Sequence, residues 1–146
     1  MTADVEANEA LVRRFWTALA ARDFDAVGAF MADDGHYVDV PVKDVEPGAR
    51  GPAETAARLR LGLGPLHAYE LQDGPIVAAG DMVVTEHSET WTWEPGVTVT
   101  LPFTSVMEVR DGKVTRWWDY LDLGTLLNAA PQWWLDHIAG GYAATP

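Results

Sequence analysis

MVVTEHSETWTWEPGVTVTLPFTSVMEVRDGKVTRWWDYL, residues 82–121, decides the fold. Its apolar residues recur at every second position, which is the period of a half-buried strand. Glu94-Pro95-Gly96 and Asp111-Gly112 break the run, and Asp-Gly between alternating stretches is a strong hairpin signal. Three strands follow, Met82 to Trp93, Val97 to Arg110 and Lys113 to Leu121, joined as an antiparallel meander.

Working outward, Tyr69 to Ala78 reads as a further strand broken by Asp73-Gly74-Pro75. Upstream the period changes to that of a helix. Residues 5–21 carry Leu11, Val12, Phe15, Trp16 and Leu19 on one face, and a short second helix follows Asp23, a suitable N-cap. Asp33-Asp34-Gly35 reads as a turn, His36 to Val40 as a short strand and Pro41 to Gly51 as loop. Pro52 opens a third helix expected to end near Leu61. After the meander come a short helix, Leu123 to Asn128, and one from Pro131 through Ile138, with 139–146 read as a loose tail.

The expected class is therefore α+β. A curved, mostly antiparallel sheet wraps around N-terminal helices as a cone, and the space that the helices leave unfilled is an apolar pocket. At 146 residues, 1–146 is expected to form a single domain. With 22 acidic and 10 basic residues the net charge is −12, which disfavours nucleic acid and anionic membrane as partners. There is no cysteine, which removes thiol chemistry and Cys-based metal sites. No apolar run approaches the roughly 20 residues of a membrane span. The acidic N-terminus is no signal peptide, so a cytoplasmic location is expected. Seven tryptophans imply an aromatic-lined interior, pocket or interface.

Alternation also says which polar groups point inward. Val83, Thr85, His87, Glu89, Trp91 and Trp93 share the apolar face of their strand, so His87 and Glu89 lie among buried groups. Leu101, Phe103, Ser105 and Met107 form the inner face of the next strand, and Trp117, Asp119 and Leu121 one face of the last. Tyr37 and Asp39 share a face opposite Val38 and Val40, and either face could be the core one. A buried carboxylate without a partner shifts its pKa upward. Two carboxyls and a histidine facing one hollow are thus equipped for general acid–base chemistry. Trp91, Trp117, Phe103 and Leu101 are the expected apolar wall against a small hydrophobic substrate. His87 alone would suit a satisfied core position, and Asp119 could serve only to receive backbone bonds. It is Glu89, two residues from His87 on the same face, that favours a functional site. His87, Glu89 and Asp119 are also a conceivable ligand set, but no second inward histidine joins them, so neither metal nor cofactor is expected.

Layout and short motifs resemble the nuclear transport factor 2-like superfamily, which includes ketosteroid isomerases, SnoaL-like polyketide cyclases and limonene-1,2-epoxide hydrolase. Ala21-Arg22-Asp23-Phe24-Asp25-Ala26-Val27 is similar to the superfamily's helix-to-helix passage. Tyr37-Val38-Asp39-Val40-Pro41 resembles the epoxide hydrolase family's Tyr-x-Asn-x-Pro. Val84-Thr85-Glu86-His87-Ser88-Glu89 resembles its Leu-Thr-Glu-Arg-x-Asp, and Trp118-Asp119-Tyr120-Leu121-Asp122-Leu123 its Arg-Asp-Tyr-Phe-Asp-Leu. The resemblance implies a cofactor-independent hydrolase opening an epoxide, with Asp119 as base, Glu89 as acid, His87 as the bridge between them, and Tyr37 and Asp39 placing the water. It also implies a homodimer. Three departures stand out: His87 replaces an arginine, Glu89 an aspartate and Asp39 an asparagine. A third acid and a weaker cation should leave the cluster holding extra protons near neutral pH. An isomerase or cyclase removing a proton next to a carbonyl, and a non-catalytic small-molecule-binding domain, remain alternatives on the same fold.

Overall fold

The computed structural model describes residues 4–143. The first two helices begin on aspartate caps: the Asp4 side chain accepts from the Ala7 amide at 3.0 Å to open α1 (Val5–Ala20), and Asp23 from Ala26 at 3.1 Å to open α2 (Phe24–Ala29). Leu11, Val12, Phe15, Trp16 and Leu19 are the buried stripe of α1, as their spacing requires. Next come β1 (Met31–Asp39), a single 3-10 turn (Val40–Val42), β2 (Ala49–Arg50) and α3 (Gly51–Leu63). The remainder is β3 (Ala68–Gln72), β4 (Ile76–Ala79), β5 (Met82–Glu94), β6 (Val97–Arg110), β7 (Lys113–Leu121), α4 (Leu123–Ala129) and α5 (Gln132–Ala143).

The strands form one sheet in the order β2-β1-β7-β6-β5-β3, with β4 also on β5. All pairings are antiparallel except β1 with β7, which run parallel. This is the α+β architecture expected from the meander. The register sets the site: Tyr37 pairs with Trp117, Asp39 with Asp119, Asp119 with Ser105, and Ser105 with Thr85. Asp39, Asp119, Ser105 and Thr85 therefore make one row across four strands. The core lies between the inner face and the helices, with Phe15, Leu19, Met107, Val109 and Trp117 almost fully buried.

Three local expectations are corrected. Asp33-Asp34-Gly35 is no turn; it lies inside β1, where the pairing with β7 shifts between Met31 and His36. Gly35 lets the backbones close there, since a Cβ would lie 2.6 Å from the Val114 carbonyl oxygen. The strand accordingly starts at Met31 rather than His36, and the supposed loop 41–51 contains β2. The segment 139–146 is not a loose tail throughout, because α5 stays helical to Ala143; 144–146 lie outside the described residues.

Gly48 deserves its glycine twice over. Its φ is +73°, and a Cβ would collide with the carbonyl oxygen of Tyr37, against which β2 is laid.

Candidate active site

Tyr37 and Asp39, whose face was left open by alternation, point inward. A cavity of about 230 Å³ lies between the inner face of the sheet and α3, α4 and α5. Tyr37, Asp39, Glu89 and Asp119 reach its wall from β1, β5 and β7, and Trp91, Trp117 and Phe103 supply aromatic surface. The rest is mainly aliphatic, including Leu59 and Leu63 of α3, Leu126 of α4 and Ile138 of α5. Leu101 is fully buried but lies outside the wall, and His87 also sits behind it. Tyr37 stacks on Trp117 with ring centroids 3.8 Å apart, which fixes the aromatic floor beneath the acids.

Asp119 is 3% exposed, and its Oδ1 accepts from Trp117 Nε1 at 2.7 Å and Ser105 Oγ at 2.5 Å. Burial raises its pKa well above the usual carboxylate range, and nearby Asp39 and Glu89 push the same way. The two hydrogen bonds oppose that rise, because they stabilise the charged form. Oδ1 is thus occupied by fixed donors.

Glu89 is 4% exposed, and its Oε1 accepts from Trp91 Nε1 at 3.1 Å. Burial pushes its pKa up to about 7, opposed by Tyr69 and Trp91 and reinforced by the charge of Asp39. The buried Tyr69 hydroxyl feels Glu89 strongly but makes no well-aligned hydrogen bond to it. Burial and that carboxylate push the phenol pKa far up, so it remains a neutral donor.

His87 Nε2 lies 3.0 Å from Ser105 Oγ, while Nδ1 is 3.8 Å from Glu89 Oε2, too far for a hydrogen bond. Burial lowers the pKa of the ring to about 4, so it is neutral at pH 7. It bridges the two acids only indirectly, reaching Asp119 through Ser105.

The charge that His87 does not supply comes from elsewhere. Arg58 of α3 donates to Asp39 at 2.9 Å and to Glu46 at 2.6 and 2.8 Å, and it lies over the Tyr37 ring. Burial raises the pKa of Asp39, while Arg58 and a bond from Tyr37 favour its charged form. Arg58, Ser105 and Tyr69 were not expected as site residues. Arg58 stands on the helical face of buried Thr55 and Leu59, a placement that could have marked it as inward. Ser105 was visible only as a small inner-face residue, since its partners depend on register. Among the described residues, no group of three or more acidic or histidine side chains is arranged to hold a metal ion. No described helix is long and apolar enough to cross a membrane.

The SnoaL-like domain model matches residues 12–117. A curated relative, epoxide hydrolase EphG of Mycobacterium tuberculosis strain H37Rv, is 35% identical over 112 residues, covering 77% of this chain and 71% of that protein. The solved structure of an M. tuberculosis LEH-like epoxide hydrolase superposes with a TM-score of 0.72 at 31% identity, covering 86% of this chain and 90% of the other. TerC co-crystallised with polyporic acid gives a TM-score of 0.72 at 25% identity, covering 84% and 97% of the respective chains. Sheet, cavity and sequence therefore agree: the chain belongs to the SnoaL-like family of the nuclear transport factor 2-like superfamily, with an epoxide hydrolase among its homologues.

Proposed function

We propose that the chain is a cofactor-independent hydrolase that opens an epoxide in a small hydrophobic substrate of terpenoid or polyketide type. The observation that carries this reading is the placement of two buried carboxyls, Glu89 and Asp119, on the wall of one largely apolar cavity. Asp119 is the base: burial raises its pKa, but the bonds from Trp117 and Ser105 to Oδ1 favour its charged form, and Oδ2 is left to take a proton from water. Glu89 is the acid, since burial keeps a proton on it near neutral pH. The water oxygen bonds to an epoxide carbon, the carbon–oxygen bond breaks, and Glu89 protonates the departing oxygen. Tyr37 and Asp39, held by Arg58, place the water. Relatedness to an epoxide hydrolase at 35% identity supports the same reaction class. The protein is expected to work in the cytoplasm as a homodimer.

Single-turnover incubation of 1-methylcyclohexene oxide in 18O-water tests the reaction. Label in the first diol formed is the expected result; unlabelled first-turnover diol would point to a covalent ester, and no diol to another activity. One observation favours a second reading. The Arg58 guanidinium beside Asp39 also suits a base that removes a proton next to a carbonyl, as in an isomerase or cyclase. Exchange of solvent deuterium into a cyclic ketone, without diol from the epoxide, would select it. Ligand binding unchanged by Glu89→Gln and Asp119→Asn, with no turnover of either compound, would indicate a binding domain.

A further inference from the structure

The hydrogen bonds behind the cavity wall have a direction. Ser105 carries one hydroxyl hydrogen, and it is given to Asp119 Oδ1 at 2.5 Å. That length is typical of an O–H group donating to a charged oxygen. With its hydrogen used, Ser105 Oγ can only accept from His87 Nε2 at 3.0 Å, so Nε2 carries the ring proton. In a neutral ring, Nδ1 is then a bare lone pair. It is buried, has no hydrogen-bond partner, and faces Glu89 Oε2 at 3.8 Å. A carboxylate there would set lone pair against lone pair, a repulsion that a neutral Glu89 avoids.

We infer that His87 and Ser105 are positioning residues that form a one-way hydrogen-bond chain, placing the negative charge on Asp119 and the proton on Glu89 before substrate binds. The inference rests on the hydrolase reading for its purpose, though not for its geometry. The two acids are otherwise similarly equipped, as each is buried and accepts one indole N–H. The remaining groups that face them are Asp39 and Tyr37 of β1, Arg58 of α3 and Tyr69 of β3, and none of these donates to Asp119 Oδ1. The chain breaks the near-symmetry. Because 3.8 Å is too long for a hydrogen bond, the Glu89 proton is not tied to His87 and can turn to the epoxide oxygen. In the opposite tautomer, Nδ1–H would face Glu89 as a carboxylate and Nε2 would accept from Ser105, which exchanges the roles of the acids.

The test combines imidazole 15N NMR of the free protein with the pH dependence of kcat/KM on 1-methylcyclohexene oxide, for the wild type, Ser105→Ala and Ser105→Thr. At pH 7 His87 should be neutral with its proton on Nε2. Ser105→Ala should transfer a measurable fraction to Nδ1, and Ser105→Thr, which keeps the hydroxyl, should not. The acidic limb of kcat/KM should move up by about one to two pH units in Ser105→Ala, as Asp119 loses a bond to its charged form, and return in Ser105→Thr. A merely structural serine would lower the rate without moving the limb. A charged His87, a wild-type ring protonated on Nδ1, or a tautomer unaffected by Ser105→Ala would overturn the inference. If the NMR results hold while no epoxide is turned over, the chain stands and the hydrolase reading fails. If epoxide is hydrolysed and the tautomer is wrong, the hydrolase reading stands and the chain fails.

Discussion

Arg58 reaches from α3 to Asp39 at the end of β1, with Nη2 2.9 Å from Oδ2. The same guanidinium holds Glu46 and is itself almost buried, so its removal strands two partly buried carboxylates. Arg58→Met should therefore destabilise the fold by about 3 kcal/mol, read from urea unfolding at pH 7. It should also lower turnover at neutral pH by raising the pKa of Asp39 further. Arg58→Lys, which keeps the charge but not the fork, should fall between.

The pH dependence of the rate follows from Glu89. As the acid it must be protonated, and its pKa is pushed up to about 7. Steady-state kcat/KM on an epoxide should fall tenfold per pH unit above about 7. Substrate consumption between pH 6 and 9 checks this, and a rate that rises throughout that range would contradict Glu89 as the acid, leaving ionisation of a base to set the profile.

Stability carries the same signature with a definite sign. The folded chain binds the Glu89 proton more tightly than the unfolded chain, whose glutamate titrates near 4.5. Between about pH 4.5 and 7 the unfolded state releases that proton and the folded state does not, so stability falls with rising pH and then levels off. Over that window Glu89→Gln should gain about 3 kcal/mol relative to the wild type. Urea unfolding of both proteins at pH 4.5 and 8 measures the difference. His87 acts with the opposite sign, as its lowered pKa removes stability when pH drops from 6.5 to about 4. Both proteins retain it, so it cancels in the comparison.

Trp134 closes one side of the cavity. It is 3% exposed, donates to the Gly62 carbonyl at 2.9 Å and packs edge-on against Trp91 and Trp93. Trp134→Ala should cost about 3–5 kcal/mol by leaving a hole. In the surviving folded protein it should shift preference toward bulkier epoxides, seen as a lower KM ratio of large to small substrate.

The sequence made the sheet legible because alternation and the Asp111-Gly112 hairpin are local signals. Inward-facing Glu89 and His87 followed from the same alternation. Asp39 did not, because both faces of its strand carry buried groups, Tyr37 on one and Val38 on the other. The roles of Arg58 and Ser105 escaped notice for a different reason. Their partners, Asp39 and Asp119, are 19 and 14 residues away, and only helix docking and strand register join them. The register shift in β1 was hidden because Asp33-Asp34-Gly35 is good turn chemistry locally. Pairing with β7 overrode it.

The central claim, that the cavity stores a proton on Glu89, can be measured without any substrate. Carboxyl 13C NMR, with Glu89 assigned by its absence in Glu89→Gln, should show this group protonated at pH 5.5 and titrating near 7. A Glu89 signal already ionised at pH 5.5, with a midpoint in the ordinary range near 4.5, would contradict it.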